Sequence, residues 1–574
     1  EGWWQQTVDC RVGSIWYNRF MSKIADRLSA LLGIGGGWLA VLLVGWPSLA
    51  YPLGRDNGIF AYCGWAVLRG QVPYAQFWEH KTPAIFFIYA AIERIFGVSE
   101  AGVRRGDLAY SLLVVPFFYL LVSNLFGRRA AVCATITWAI FHTALNTLYF
   151  WSGAESETFM VLPFILAYYA YRQSENTSSR SAGRARLWVL AAGLAAGLAI
   201  MIKVTAVVGL FALAVYAVVT TLRDRTLQNP KARVQALLSK LGLAVLGVGL
   251  AILPFVVYFA SQGALREAVD VSIVANFFYG QGGSDLGVAA ANALGRAGDN
   301  LLHLRVYYLL PALALVYIAL RERTRATLLI ALWLLCAFAM TWVQGRLWPY
   351  HYIGTLVPLS VLSGFVVDRL FLELAQRKTA NRPSRLPAAL LTVLIFGLTV
   401  SSLAPNNGTE TVYSWDRYQQ YASGRITARQ YQADFHRGTY DYLPNADAAR
   451  YIAAHTQAGD RVLVWAVDPL VNFLADRLAP GRFIYNYPII SPDIPIAARA
   501  EYQRIFMAEL VRNPPAIIAV AVGDTSPITD PDSLTLLREF PAFGQYITDH
   551  YTDQPFEIPP SRNKVQTFLI YTRR

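Results

Sequence analysis

The side chains best placed for chemistry are acids and bases standing beside long apolar runs. YPLGRDNGIFAYCGWAVLRGQVPYAQFWEHKTP, residues 51–83, holds Arg55, Asp56, Glu79, His80 and Lys81 between two apolar stretches. A carboxylate there can deprotonate a hydroxyl or amine acceptor, and a neighbouring cation can hold a phosphate leaving group. Each residue also has a plainer reading. Asp56 suits the N-cap of a helix starting near Asn57, and Glu79 to Lys81 suit a solvated ion pair. WSGAESETF (151–159) brings Glu155 and Glu157 to the start of an apolar run, where a helix dipole alone favours acids. Lys203 interrupts AAGLAAGLAIMIKVTAVVGLFALAV (191–215). An ionisable residue at a membrane boundary marks a functional site by default, with snorkelling as the alternative. Arg346 sits among Trp348, Tyr350, His351 and Tyr352, a phosphate ligand or one cation in an aromatic belt. His303 and Arg305 carry less signal, and Asp468 and Asp524 fall in no catalytic spacing.

Apolar stretches near 28–50, 107–126, 130–149, 158–172, 187–202, 204–222, 241–260, 306–320, 326–344, 353–372 and 387–404 predict eleven transmembrane helices positioning these residues. Residues 83–97 make a twelfth apolar segment, but as a helix it reaches only about 22 Å against a hydrocarbon core of roughly 30 Å. It also carries Glu93 and Arg94. Charge settles its placement. If it does not cross, the segments on the N-terminal side of the bilayer hold 22 Lys and Arg against seven Asp and Glu, which makes that side cytoplasmic. Residues 83–97 are therefore expected as a juxtamembrane helix with Ile85, Ile88, Ile92 and Phe96 on its apolar face. The first external loop is then 51–106, and the C-terminus is external too.

A hydrophobic content of 55% excludes an ordinary soluble protein. The net charge of +13 follows the positive-inside pattern and implies no nucleic-acid partner. Cys10, Cys133 and Cys336 lie in or near cytoplasmic or apolar segments and leave Cys63 alone outside, so no disulfide is expected. Residues 1–20 are set aside from fold reasoning, with Met21 a candidate natural start. The expected organisation is a cytoplasmic segment 1–27, a transmembrane region 28–404 and an external soluble α/β domain 405–574. The last rests on the helix-like ADAARYIAAHTQAGD and AEYQRIFMAELVRNPP and the strand-like RVLVWAV and IIAVAVG.

An Asp opening a large first external loop, followed by FWEHKTP leading into an apolar helix, resembles two groups of the C-type glycosyltransferase superfamily. These are the bacterial protein O-mannosyltransferase-like proteins and the lipid A aminoarabinose transferases. AESETFMVLPF, GLAIMIKVTA and RLWPYHYIGTLVPL extend the match, in order, over residues 28–375. The resemblance implies inverting transfer of a sugar from a polyprenyl-phosphate donor to a lipid, glycan or protein acceptor, at a site facing the non-cytoplasmic side of a cell membrane, the inner membrane in bacteria. It makes Asp56 the acid that orients or deprotonates the acceptor and Lys81 a ligand of the donor phosphate, and it matches Lys203 to the lysine of the family's Gly-Leu run. Lys203 and Arg346 are expected to join Lys81 on the donor phosphate, with Arg55, Glu79, His80, Glu155 and Glu157 in support. Glu157 matches the acid opening the fourth span, and Glu155 is the competing alignment. Asn57 stands where many relatives carry a second acid, and His80 and Thr82 alter the Glu-Lys-Pro spelling. Some relatives bind a divalent metal and others none, so no cofactor is assigned and a divalent metal at Asp56 stays open. A transporter or lipid flippase is the rival reading, with Lys203 on its substrate path. A non-catalytic scaffold for the C-terminal domain is the other.

Overall fold

The computed structural model describes residues 24–148, 150–178, 181–226, 229–276, 305–344, 348–376, 408–492, 494–525, 530–561 and 566–574. Helices stand at ten of the eleven stretches expected to span. They are α1 (Ile24–Ala50), α4 (Glu100–Phe126), α5 (Arg128–Leu148), α6 (Ser156–Ser178), α7 (Ala182–Ile202), α8 (Ala206–Leu222), α9 (Pro230–Ser261), α10 (Arg305–Leu320), α11 (Arg325–Trp342) and α12 (Ile353–Gln376). The eleventh stretch, 387–404, lies outside the described residues. Among the described helices, six are long and apolar enough to cross a membrane. This is a multi-pass membrane protein. Its lipid-facing surface shows best on α9, where Val245, Leu253 and Val257 are 70%, 51% and 58% exposed, an apolar display that water would not tolerate over such a length. On its inner side α9 touches α7 backbone to backbone. A Cβ on Gly193 would come within 2.1 Å of the Ala244 carbonyl oxygen, so only glycine allows this contact.

Between α1 and α4 lie two shorter helices, α2 (Arg55–Leu68) and α3 (Ala84–Phe96). The start of α2 differs from the expected N-cap at Asp56. Gly54 is the cap, its N–H bonds the Asn57 side-chain oxygen at 3.2 Å, and Asp56 falls inside the first turn. α3 is the short helix of residues 83–97, and part of its expected membrane face turns inward instead. Ile85 and Ile92 are buried, Ile88 and Phe96 half-buried, while Arg94 is exposed. Burial also takes in Glu93, which is 1% exposed and, among the described residues, has no hydrogen-bond partner on either carboxylate oxygen. Burial pushes its carboxyl up to about 9. The folded chain therefore keeps a proton that the unfolded chain releases above about pH 4.5, and stability falls as pH rises through that window up to about 9. Glu93→Gln is expected to raise the Tm at pH 8 and to flatten its pH dependence. A Tm that declines with pH as in the wild type would contradict this. Cys63 is fully buried as well, so thiol labelling cannot report which side of the membrane it occupies.

The C-terminal region combines helices with a four-stranded mixed sheet. β1 (Val462–Trp465) runs parallel to β2 (Ile517–Val522), with Val462 opposite Ile517; β4 (Thr567–Thr572) pairs antiparallel with β2; and β3 (Phe556–Glu557) lies outermost. The unbroken apolar run IIAVAV suits β2, which has a neighbour on each edge and is buried along nearly its whole length. This region sits directly on α2. Leu470 fills the space above Gly58, where a Cβ would lie 2.6 Å from the leucine Cβ, and the Tyr62 hydroxyl accepts from the Ala479 N–H at 2.9 Å.

Candidate active site

A cavity of about 390 Å³ opens between the first turn of α2, residues 79–82, the α7–α8 hairpin, the segment before α12 and the C-terminal region. Arg55, Asp56, Glu79, His80, Lys81 and Lys203 all line it. Glu155 and Glu157 lie buried outside the lining, and Arg346 is outside the described residues, although its neighbours Gln344, Trp348, Tyr350 and His351 do line the cavity.

Asp56 reaches the cavity because the cap at Gly54 starts α2 one residue before it. Its Oδ2 accepts from the Tyr350 hydroxyl at 2.7 Å, and its Oδ1 has no hydrogen bond among the described residues. That leaves one oxygen to take a proton from a bound acceptor. Behind it, Asn57 donates to Glu155 at 2.9 Å and to the Gly153 carbonyl at 2.8 Å, fixing α2 to the start of α6. Burial, then the Asp56 and Glu157 charges, push the Glu155 carboxyl well above its usual range. Glu155 thus resists becoming a second negative charge near Asp56.

Lys203 closes α7 in an extended conformation (φ −153°, ψ 123°), which turns the chain into α8. Its ammonium is paired with Glu157, a fully buried residue of the first turn of α6, whose other oxygen accepts from Ser156 at 2.8 Å. The His351 ring nitrogen Nε2 lies 3.9 Å from the same Glu157 oxygen that meets Lys203. Lys203 and Glu157, read separately in the sequence, form one buried ion pair.

Glu79 is buried too. Its Oε1 accepts from the Lys81 N–H at 3.1 Å and lies 4.0 Å from Lys81 Nζ, while its Oε2 accepts from the Tyr485 hydroxyl at 2.7 Å. Burial raises the Glu79 carboxyl, and Lys81 and Tyr485 oppose the rise. The plain reading of these residues as a solvated loop pair does not describe this geometry. Burial and the Lys81 and Lys203 charges hold His80 well below the usual histidine range, so its ring is neutral. Arg55 Nε meets the buried Asp468 at 3.4 Å, with its guanidinium over the Tyr440 ring at 5.5 Å.

Several residues in or around the site carried no usable signal in the sequence. Asp468, Tyr440 and Tyr485 enter the site from the C-terminal region. Arg104, also buried, donates to the carbonyls of Pro52 and Phe150 and so ties the approaches to α2 and α6 together. In the sequence it stands in the expected loop 51–106, just before the stretch at 107–126, and nothing there marked it for burial. Among the described residues, no three His, Cys, Asp or Glu side chains group to hold a metal ion. A divalent ion in the cavity would find two lining carboxylates, Asp56 and Glu79.

Residues 80–257 match the family described as dolichyl-phosphate-mannose-protein mannosyltransferase. No curated protein matches in sequence. Among solved structures, ArnT from Cupriavidus metallidurans bound to undecaprenyl phosphate superposes with a TM-score of 0.56 at 15% identity, over 93% of this chain and 96% of that one. The oligosaccharyltransferase of Archaeoglobus fulgidus tethered with an acceptor peptide gives 0.52 at 12% identity, over 95% and 74%. The chain has the fold of the C-type membrane glycosyltransferases. Family match and fold together indicate a glycosyltransferase. Within the C-type fold, the matched residues begin at His80 and include Lys81, Glu155, Glu157 and Lys203, while Asp56 and the C-terminal wall of the cavity lie outside them.

Proposed function

We propose that this protein transfers a sugar from a polyprenyl-phosphate donor to a lipid, glycan or protein acceptor, by inversion, on the non-cytoplasmic face of a cell membrane. One observation carries the reading: Asp56, with an unoccupied carboxylate oxygen, shares a single cavity with Lys81 and Lys203. Asp56 takes the proton of the acceptor hydroxyl or amine as that group attacks the anomeric carbon. The bond from the anomeric carbon to the phosphate oxygen breaks, and its electron pair leaves with the phosphate. Lys81, Lys203 and Arg346 stabilise the departing anion, so no general acid is required. A structural neighbour that holds undecaprenyl phosphate supports the choice of carrier. In this reading the chain crosses the membrane eleven times, and residues 405–574 form a soluble α/β domain on the same side as the cavity.

Incubation of the purified protein with a panel of polyprenyl-phosphate sugars, followed by mass spectrometry, is expected to show released polyprenyl phosphate with at least one donor. Release from none would remove the reading. Repeating the assay with EDTA and then with added Mg²⁺ or Mn²⁺ reads metal dependence. A reporter fused after Arg574 reads topology, and a cytoplasmic signal would overturn the assigned side.

A further inference from the structure

The C-terminal region does more than roof the cavity. Residues 78–81 are bound to residues 482–485 at both ends of the contact: the Trp78 N–H donates to the Arg482 carbonyl at 2.6 Å, and the Tyr485 hydroxyl donates to Glu79 Oε2 at 2.7 Å. Tyr485 is itself held from two sides. The next residue, Asn486, donates its N–H to Ala466 at the end of β1 at 3.1 Å, and the Tyr485 ring packs edge-on against Trp78 with centroids 6.0 Å apart.

From Glu79 the contacts continue inward. Lys81 Nζ lies 2.8 Å from His80 Nε2, and His80 Nδ1 lies 3.2 Å from Glu79 Oε1. An ammonium can only donate, so Nε2 accepts and the ring proton sits on Nδ1, which lies near Glu79 Oε1 without the alignment of a hydrogen bond. Glu79 thus faces three groups that want its charge: the Tyr485 hydroxyl, the His80 ring proton and, 4.0 Å away, the Lys81 ammonium. The ammonium faces Oε1, while Oε2 is satisfied by the Tyr485 hydroxyl.

We propose that Tyr485 is a positioning residue for Lys81: by occupying Glu79, it holds the Lys81 ammonium on His80 and directed to the cavity, where it meets the donor phosphate. Without the hydroxyl, the buried carboxylate has an unsatisfied oxygen that the nearest cation fills, and that cation is Lys81. The ammonium turns away from the phosphate. The inference rests on Lys81 being a donor-phosphate ligand.

The test is a double-mutant cycle on the full-length protein in detergent, read as the Kd for undecaprenyl phosphate. Tyr485→Phe, which keeps the ring and removes the hydroxyl, is expected to weaken binding about tenfold, the scale of one charge-assisted hydrogen bond. In a Lys81→Met background the same change is expected to leave the Kd unaltered. Equal weakening in both backgrounds would overturn the proposal, because Tyr485 would then act by another route. Wild-type affinity in Lys81→Met alone would instead overturn the phosphate-ligand reading beneath it. If Tyr485→Phe does not fold, it is combined with Glu79→Gln, which removes the charge that would draw Lys81 away, and the double variant is expected to bind more tightly than Lys81→Met does. Affinity as low as that of Lys81→Met would overturn the relay.

Discussion

Asp56→Asn is expected to lower sugar transfer by roughly 100-fold or more while the protein stays folded and still binds the donor. The structure makes this substitution clean. Gly54, assisted by Asn57, caps α2, so Asp56 has no capping duty to lose. What the fold loses is one acid in a first helical turn, about 0.3–1 kcal/mol. The asparagine side-chain oxygen still accepts the Tyr350 hydroxyl that Asp56 accepts now at 2.7 Å. Only the capacity to take a proton disappears. Release of polyprenyl phosphate under single-turnover conditions, measured beside the Tm, separates the two effects. Turnover within a few fold of wild type would take Asp56 out of the mechanism and move attention to Glu79.

The second large effect concerns Lys203. A lysine that only snorkels to a membrane boundary could give way to methionine at little cost to the fold. Lys203 is not of that kind, because it is the ion-pair partner of the fully buried Glu157. Removing one member of a buried pair leaves an uncompensated charge, at about 3–5 kcal/mol. Lys203→Met is therefore expected to lower the Tm markedly or to abolish expression. Lys203→Met combined with Glu157→Gln removes both charges and is expected to recover most of the lost stability. Donor affinity should stay at least tenfold weakened in the double variant, because the phosphate has still lost a cation. A single variant as stable as wild type would show that the pair contributes little, and a double variant with full donor affinity would show that Lys203 does not contact phosphate.

The membrane helices were legible because a hydrophobic run of the right length has few other physical outcomes. The candidate residues of the first loop were legible because charged side chains beside such runs are conspicuous; Arg55, Asp56, Glu79, His80, Lys81 and Lys203 do meet in one cavity. What sequence reading could not supply was pairing at long range. Tyr485 reaches Glu79 across 406 residues, and Asp468 reaches Arg55 across 413. Neither residue lies in a spacing that local periodicity can register, because both depend on how the C-terminal sheet docks on α2. The start of α2 was missed for a smaller reason. A glycine cap helped by a following asparagine looks, in sequence, much like an aspartate cap followed by a helix. Helix α3 was read by its amphipathicity, which fixes that a face is buried but not whether lipid or protein buries it.

The contact between residues 78–81 and 482–485 also bears on the order in which the chain is made. Glu79 leaves the ribosome 406 residues before Tyr485, roughly 20–80 s earlier at ordinary elongation rates. Through that interval the membrane helices can insert and pack while the wall formed by Tyr440, Tyr485 and Tyr487 does not yet exist. A chain interrupted anywhere before the late sheet would sit in the bilayer with its lysines open to water and nothing holding Lys81 in place. On the reading proposed above, such a nascent or broken chain would hold the donor less tightly than the finished protein.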